Sequence, residues 1–160
     1  MFTLSDICNI AVQIERNGER IYRAGGKRAD DPRVAQMLNW MADEEMRHAQ
    51  WFEGLDLKTR IPQGHEEIES MGRSLLKEMM RDQAFSLEDD RIQVVSDLAG
   101  LFDLSMEFEQ DTIMFYEMLG SFVDDPDTIA QLNRVIDEEH GHLRQLDRLK
   151  GLYAVKPKGG

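Results

Sequence analysis

A chain of 160 residues with a single cysteine, Cys8, can form no internal disulfide and cannot by itself build a four-thiolate metal site. A secreted, cross-linked fold is thereby excluded, and a reducing compartment is expected. Positive charge is also in short supply: 19 Lys plus Arg stand against 31 Asp plus Glu, a formal balance of −12. That deficit argues against binding to phosphate backbones or anionic bilayers, so neither nucleic acid nor membrane is an expected partner. No stretch approaches the roughly 18 uninterrupted apolar residues of a membrane-spanning helix. The opening MFTLSDICNIAV puts Asp6 where a secretory signal would carry positive charge, so a soluble, cytoplasmic chain is expected. Alternating β-branched runs are missing, whereas 10 Met and abundant Glu, Leu, Arg and Gln favour helix, and only 4 Pro interrupt it. The length suits one domain over residues 1–160, and the expected class is all-α.

Four long helices are legible from the placement of Pro, Gly and Asp. The first is expected from about Ser5 to Arg23, ending at Gly25-Gly26. The second opens at Asp31-Pro32, an acceptor at the cap followed by Pro at the first helical position, and continues to about Leu57. The third spans roughly Asp97 to Ser121, and the fourth runs from Asp125-Pro126 to about Lys150, with Gly151 as the stop. Between the second and third lies a long connection, 58–96. Its middle, from His65 to about Gln83, carries Ile68, Met71, Leu75, Leu76 and Met79 at helical spacing, which predicts a shorter extra helix.

The two halves of the chain repeat one another at an offset of 94 residues without a gap. The shift carries Glu15 onto Glu109, Tyr22 onto Tyr116, Asp31-Pro32 onto Asp125-Pro126, and Leu38-Asn39 onto Leu132-Asn133. It also carries Asp43-Glu44-Glu45 onto Asp137-Glu138-Glu139, and His48 onto His142. Two copies of a helical hairpin joined by a long crossover make a four-helix bundle.

The inward stripes of these helices contain acids that need a reason to be there. In the second helix Leu38, Met41, Glu45, His48, Phe52 and Leu55 follow at steps of three or four; in the fourth, Leu132, Val135, Glu139, His142, Leu146 and Leu149 do the same. Each Glu-x-x-His puts a carboxylate and an imidazole on one helical face, able to converge on one ion. The first helix adds Glu15 to a stripe of Cys8, Ala11, Gly18 and Tyr22, and the third adds Glu109 to Phe102, Ser105, Thr112 and Tyr116. Four buried carboxylates cost several kcal/mol each to desolvate and push one another's pKa upward. Two divalent cations carry +4 against their −4, with the imidazoles neutral. Oxygen ligands and two imidazoles without thiolate favour iron or manganese over structural zinc.

Glu44 and Glu138 are expected to point away from the stripe, and His140, flanked on its face by Arg144 and Asp147, to lie at the surface. His65 reads as a surface or capping residue, Cys8 as a small core residue. Glu19, whose repeat partner is Ile113, is the weaker candidate for an extra ligand.

One Glu from each of two helices and Glu-x-x-His from each of the other two resembles the di-iron carboxylate site of the ferritin-like superfamily. The duplicated hairpins, the size and the inward tyrosines are most similar to rubrerythrin-type domains. The resemblance covers the four main helices and leaves the central connection unexplained. It implies that Glu45 and Glu139 bridge two metals, that Glu15 and His48 complete one and that Glu109 and His142 complete the other. Tyr22 and Tyr116, each seven residues beyond its helix's Glu, are the remaining active-site candidates, placed to hydrogen-bond ligand carboxylates. Two departures stand out. Cys8 alone cannot supply a rubredoxin module, so electrons must come from an external donor. Thr112 occupies the place where rubrerythrins carry an additional ligand carboxylate, which makes the site more symmetric and puts redox-linked movement of iron in doubt.

The resemblance implies a di-iron oxidoreductase reducing hydrogen peroxide or dioxygen, with two iron ions per chain, or manganese in their place. A homodimer is expected from the exposed helical faces. The rival readings are a ferroxidase that handles iron for storage, and a non-catalytic helical module whose metal only fixes the fold.

Overall fold

A computed structural model describes residues 4–55, 70, 74 and 98–155. Four helices make up nearly all of this: α1 (Leu4–Arg28), α2 (Pro32–Gly54), α3 (Leu98–Gly120) and α4 (Pro126–Val155). Among the described residues there is no strand, and the architecture is the expected all-α four-helix bundle. The expected extra helix of 65–83, with His65, lies outside the described residues apart from Ser70 and Ser74, which are helical.

The duplicated Asp-Pro pairs start the second helix of each hairpin. The Asp31 carboxylate accepts from the backbone N–H of Arg33 at 2.9 Å, and Asp125 accepts from the N–H and hydroxyl of Thr128 at 2.9 and 2.7 Å. Each cap satisfies donors that the helix start leaves unpaired, and Pro contributes no donor of its own. α1 then lies along α2 and α3 along α4, while the two hairpins meet through α1 against α3 and α2 against α4. The faces that meet are apolar, with Ile7, Ile14, Ile21, Leu38, Met41, Phe52, Leu101, Phe102, Phe115 and Leu146 all buried.

Three helix ends differ from expectation. α1 does not stop before Gly25-Gly26 but passes through both, because these glycines serve an approach between helices. A Cβ on Gly25 would lie 2.8 Å from Cδ2 of Leu101 and 3.2 Å from Cδ1 of Leu38; one on Gly26 would lie 2.8 Å from Oδ1 of Asn39. α2 ends at Gly54 rather than near Leu57, where Leu55 turns extended and its N–H donates to the Phe52 carbonyl at 3.2 Å. α4 continues through Gly151, which is exposed with nothing within 4 Å of its Cβ position. A glycine there costs helix stability but does not end a helix that its neighbours continue.

These two glycine environments predict opposite outcomes. Gly25→Ala gains up to ~1 kcal/mol in helix propensity but overpacks two buried leucines at roughly 1–3 kcal/mol, a net loss of about 1 kcal/mol. Gly151→Ala is expected to gain about 0.5–1 kcal/mol. Denaturant melts of the two variants check both signs.

Candidate metal centre

Six side chains converge where the hairpins meet. Glu15 of α1, Glu109 of α3, Glu45 and His48 of α2, and Glu139 and His142 of α4 are all buried, none more than 4% exposed. Two groups of potential ligand atoms form among them, each with all atoms within 4.8 Å of one another: Glu15, Glu45, His48 and Glu139, and Glu45, Glu109, Glu139 and His142. Glu45 and Glu139 belong to both. The two imidazole rings lie 6.3 Å apart, stacked at 29°.

Both histidines turn Nδ1 inward. His48 Nδ1 lies 2.8 Å from Glu139 and 3.4 Å from Glu15. His142 Nδ1 lies 2.9 Å from Glu45, 3.1 Å from Glu139 and 3.3 Å from Glu109. Their outer nitrogens are held by two acids that were expected to face away. His48 Nε2 donates to Glu138 at 2.5 Å, and His142 Nε2 donates to Glu44 at 2.6 Å. That expectation fails because it projects one helix at a time: a residue beside Glu45 or Glu139 leaves its own helix's stripe only to meet the helix of the other hairpin. The signal was present in the duplication of Glu44 as Glu138. A carboxylate on the far nitrogen fixes the tautomer and makes Nδ1 a better donor to a cation.

The tyrosines are wired across the hairpins in the same way. Tyr22 of α1 donates to Oε1 of Glu109 on α3, and Tyr116 of α3 donates to Oε1 of Glu15 on α1 at 2.6 Å. As α1 advances from Glu15 to Tyr22, its partners on α3 run back from Tyr116 to Glu109, so the two helices are antiparallel. Each phenol is buried, and burial with neighbouring carboxylate charge pushes its pKa well above the ordinary value, which keeps it a donor.

Two smaller residues shape the space. A Cβ on Gly18 would lie 3.1 Å from both Cδ and Oε2 of Glu45, so the bare backbone makes room for that carboxyl. Thr112, its repeat counterpart, is buried and spends its hydroxyl on the Phe108 carbonyl at 2.8 Å. Glu19 stands apart from the cluster and pairs with Arg16 and Arg23, at 3.4 and 3.6 Å. His140 is exposed. Cys8 is buried, and burial pushes its thiol up to about 11.

Oε2 of Glu15, Oε1 of Glu45 and Oε2 of Glu109 are buried and make no hydrogen bond, although His142 Nδ1 lies 2.9 Å from the Glu45 oxygen. Protons relieve this in part. Burial and the charges of the other acids push Glu45 and Glu139 well above the ordinary carboxyl range. Burial opposes ionisation of Glu15 and Glu109 too, but contacts with Glu45 and His48 at one, and with Glu139 and His142 at the other, outweigh it. Glu15 is lowered, and Glu109 falls to about 2. Burial disfavours the charged imidazoles, yet the surrounding carboxylates win: His48 rises to about 11 and His142 well above its usual value. The donor set suits two divalent cations equally well, since four carboxylates balance +4 and both Nδ1 atoms already face inward.

The family model for rubrerythrin matches residues 6–150, nearly the whole chain. This chain belongs to the rubrerythrin family. Its fold is shared with a crystal structure from Thermotoga maritima described as that of a ferritin-like diiron-carboxylate protein, with a TM-score of 0.63 at 22% identity. That match covers 93% of this chain and 95% of the other. Among curated proteins none matches. As a rubrerythrin-family bundle, the chain places its carboxylate and histidine cluster at the junction of its two hairpins, and among the described residues no helix is long and apolar enough to cross a membrane.

Proposed function

We propose that this rubrerythrin-family chain is a di-iron oxidoreductase that reduces hydrogen peroxide or dioxygen at the expense of an external electron donor. The observation that carries the reading is the pair of four-residue ligand groups sharing Glu45 and Glu139. In this reading Glu15 and His48 would hold one iron and Glu109 and His142 the other, while Glu45 and Glu139, which belong to both groups, would serve both. Two divalent ions held there would supply together the two electrons that reduction of an O–O bond takes.

The chain's own residues set the terms of that chemistry. Tyr22 and Tyr116 fix one oxygen each of Glu109 and Glu15, leaving the other oxygen of each carboxyl directed at the cluster. Glu44 and Glu138 hold the imidazoles so that Nδ1 faces the ions. The buried surround excludes water, which strengthens every charge interaction inside. Cys8 is buried and does not belong to the cluster, and in this reading electrons reach the cluster from an external donor.

Anaerobically reduced, iron-loaded protein mixed with peroxide in a stopped-flow instrument is expected to show rapid oxidation consuming two electrons per iron pair. Slow oxidation, or one electron per pair, would rule the reading out.

A further inference from the structure

The duplication provides an internal control, since each residue around one histidine has a repeat-related counterpart around the other. His142 is fully buried. The Tyr22 ring stands edge-on to it at 5.9 Å, the Trp40 ring edge-on at 6.2 Å, and Glu44, which holds its Nε2, has a side chain only 8% exposed. Trp40 itself is 47% exposed, so part of the indole meets solvent while the ring packs T-shaped against the imidazole. The place of Trp40 in the other half is taken by Arg134. Its side chain is 73% exposed and its Nε lies 3.7 Å from Oε1 of Glu138, the acid that holds His48 Nε2 and is itself 27% exposed. Among the described residues no aromatic ring but that of His142 lies against His48.

We infer that Trp40 is a lid over the metal position built on His142, and that the His48 position, where Arg134 and Glu138 stand instead, is the door through which divalent ions enter and leave. This rests on the two-metal reading of the cluster. An ion leaves a site by exchanging its ligands for water one at a time, so the outer edge of each imidazole decides how readily water gets in. At His48 that edge is an exposed guanidinium and a partly exposed carboxylate that can swing outward to receive a cation. At His142 it is an indole that carries no ligand atom and must move aside first. In this reading the chain holds two chemically matched metal positions with unequal access, and the replacement of Trp40 by Arg134 in the other half is the largest difference between them.

Release of ferrous iron from anaerobically loaded protein to a colorimetric chelator tests this. The wild-type protein is expected to release its iron in two phases of equal amplitude, with rates at least about tenfold apart. Trp40→Ala is expected to accelerate the slow phase and leave the fast one unchanged, Trp40→Phe to keep both, and Arg134→Trp to slow the fast phase. In a Trp51→Phe background, Trp40 fluorescence is expected to recover with the slow phase. Release in a single phase, or a slow phase indifferent to Trp40→Ala, would overturn the lid while leaving the di-metal reading standing. A protein that binds no ferrous iron would overturn both.

Discussion

Glu45→Ala or Glu139→Ala is expected to cut metal content from about two ions per chain to one or none, whereas Glu19→Ala should leave it unchanged. The asymmetry follows from geometry. Glu45 and Glu139 are the two residues that belong to both four-atom groups, while Glu19, one turn beyond Glu15, is committed to Arg16 and Arg23 at the surface. Glu139 also lies within 3.1 Å of both Nδ1 atoms, so its loss leaves each imidazole short of a neighbour that orients it. Elemental analysis of protein purified without added metal gives the count. Glu45→Gln and Glu139→Gln separate charge from volume: they fill the same space with one oxygen and no charge, so they should lower metal content without leaving a cavity. Bridging variants that retain wild-type metal content would refute the assignment, and loss of metal together with loss of helix would leave the glutamine variants to decide.

The fold and six of the cluster's residues were readable in the sequence for one reason: duplication. A single Glu-x-x-His is common on solvated faces, but the same motif twice at one offset, each time interrupting an apolar stripe, fixes both its face and its partner hairpin. The two Asp-Pro starts were readable because a cap is a local event, settled between Asp31 and Arg33 or Asp125 and Thr128. The helix ends at glycine were not. Whether Gly25 stops a helix or admits a neighbour depends on Leu101, which is remote in the chain, and no local pattern carries that information. The roles of Glu44 and Glu138 were hidden for a related reason: only the antiparallel meeting of α2 and α4 brings each to the other helix's imidazole.

That cross-wiring bears on why both copies of the hairpin are needed. Each hairpin supplies the phenol that holds the other's Glu and the carboxylate that holds the other's imidazole. Neither half by itself holds the outer nitrogen of its imidazole or the outer oxygen of its first Glu. A single hairpin would carry a Glu, a Glu-x-x-His and a tyrosine, but none of the donors and acceptors that aim them, and its apolar stripes would stay uncovered.

Loading two divalent ions near neutral pH is expected to release about four protons, and the product of the two binding constants is expected to fall about four orders of magnitude for each pH unit of acidification. Without metal the cluster holds protons on Glu45 and Glu139, which burial and neighbouring charge keep neutral, and on His48 and His142, which the carboxylates keep cationic. Glu15 and Glu109 stay ionised, so two negative and two positive charges cancel. With metal, four carboxylates cancel two dications and the imidazoles are neutral. The six side chains sum to zero charge either way, and the exchange is four protons for two ions. The consequence for stability has a definite sign. The raised histidines stabilise the metal-free fold fully below their unfolded pKa and lose that contribution as pH rises toward about 11, and the raised glutamic acids likewise favour the protonated side. Between pH 6 and 8 the metal-free protein therefore loses stability as pH rises while metal binding tightens, so the gap in melting temperature between loaded and metal-free protein should widen. Proton release on titration with ferrous or manganous ion in weakly buffered solution gives the stoichiometry directly, and a yield of one proton or fewer per pair would mean that the cations do not replace the protons of this cluster.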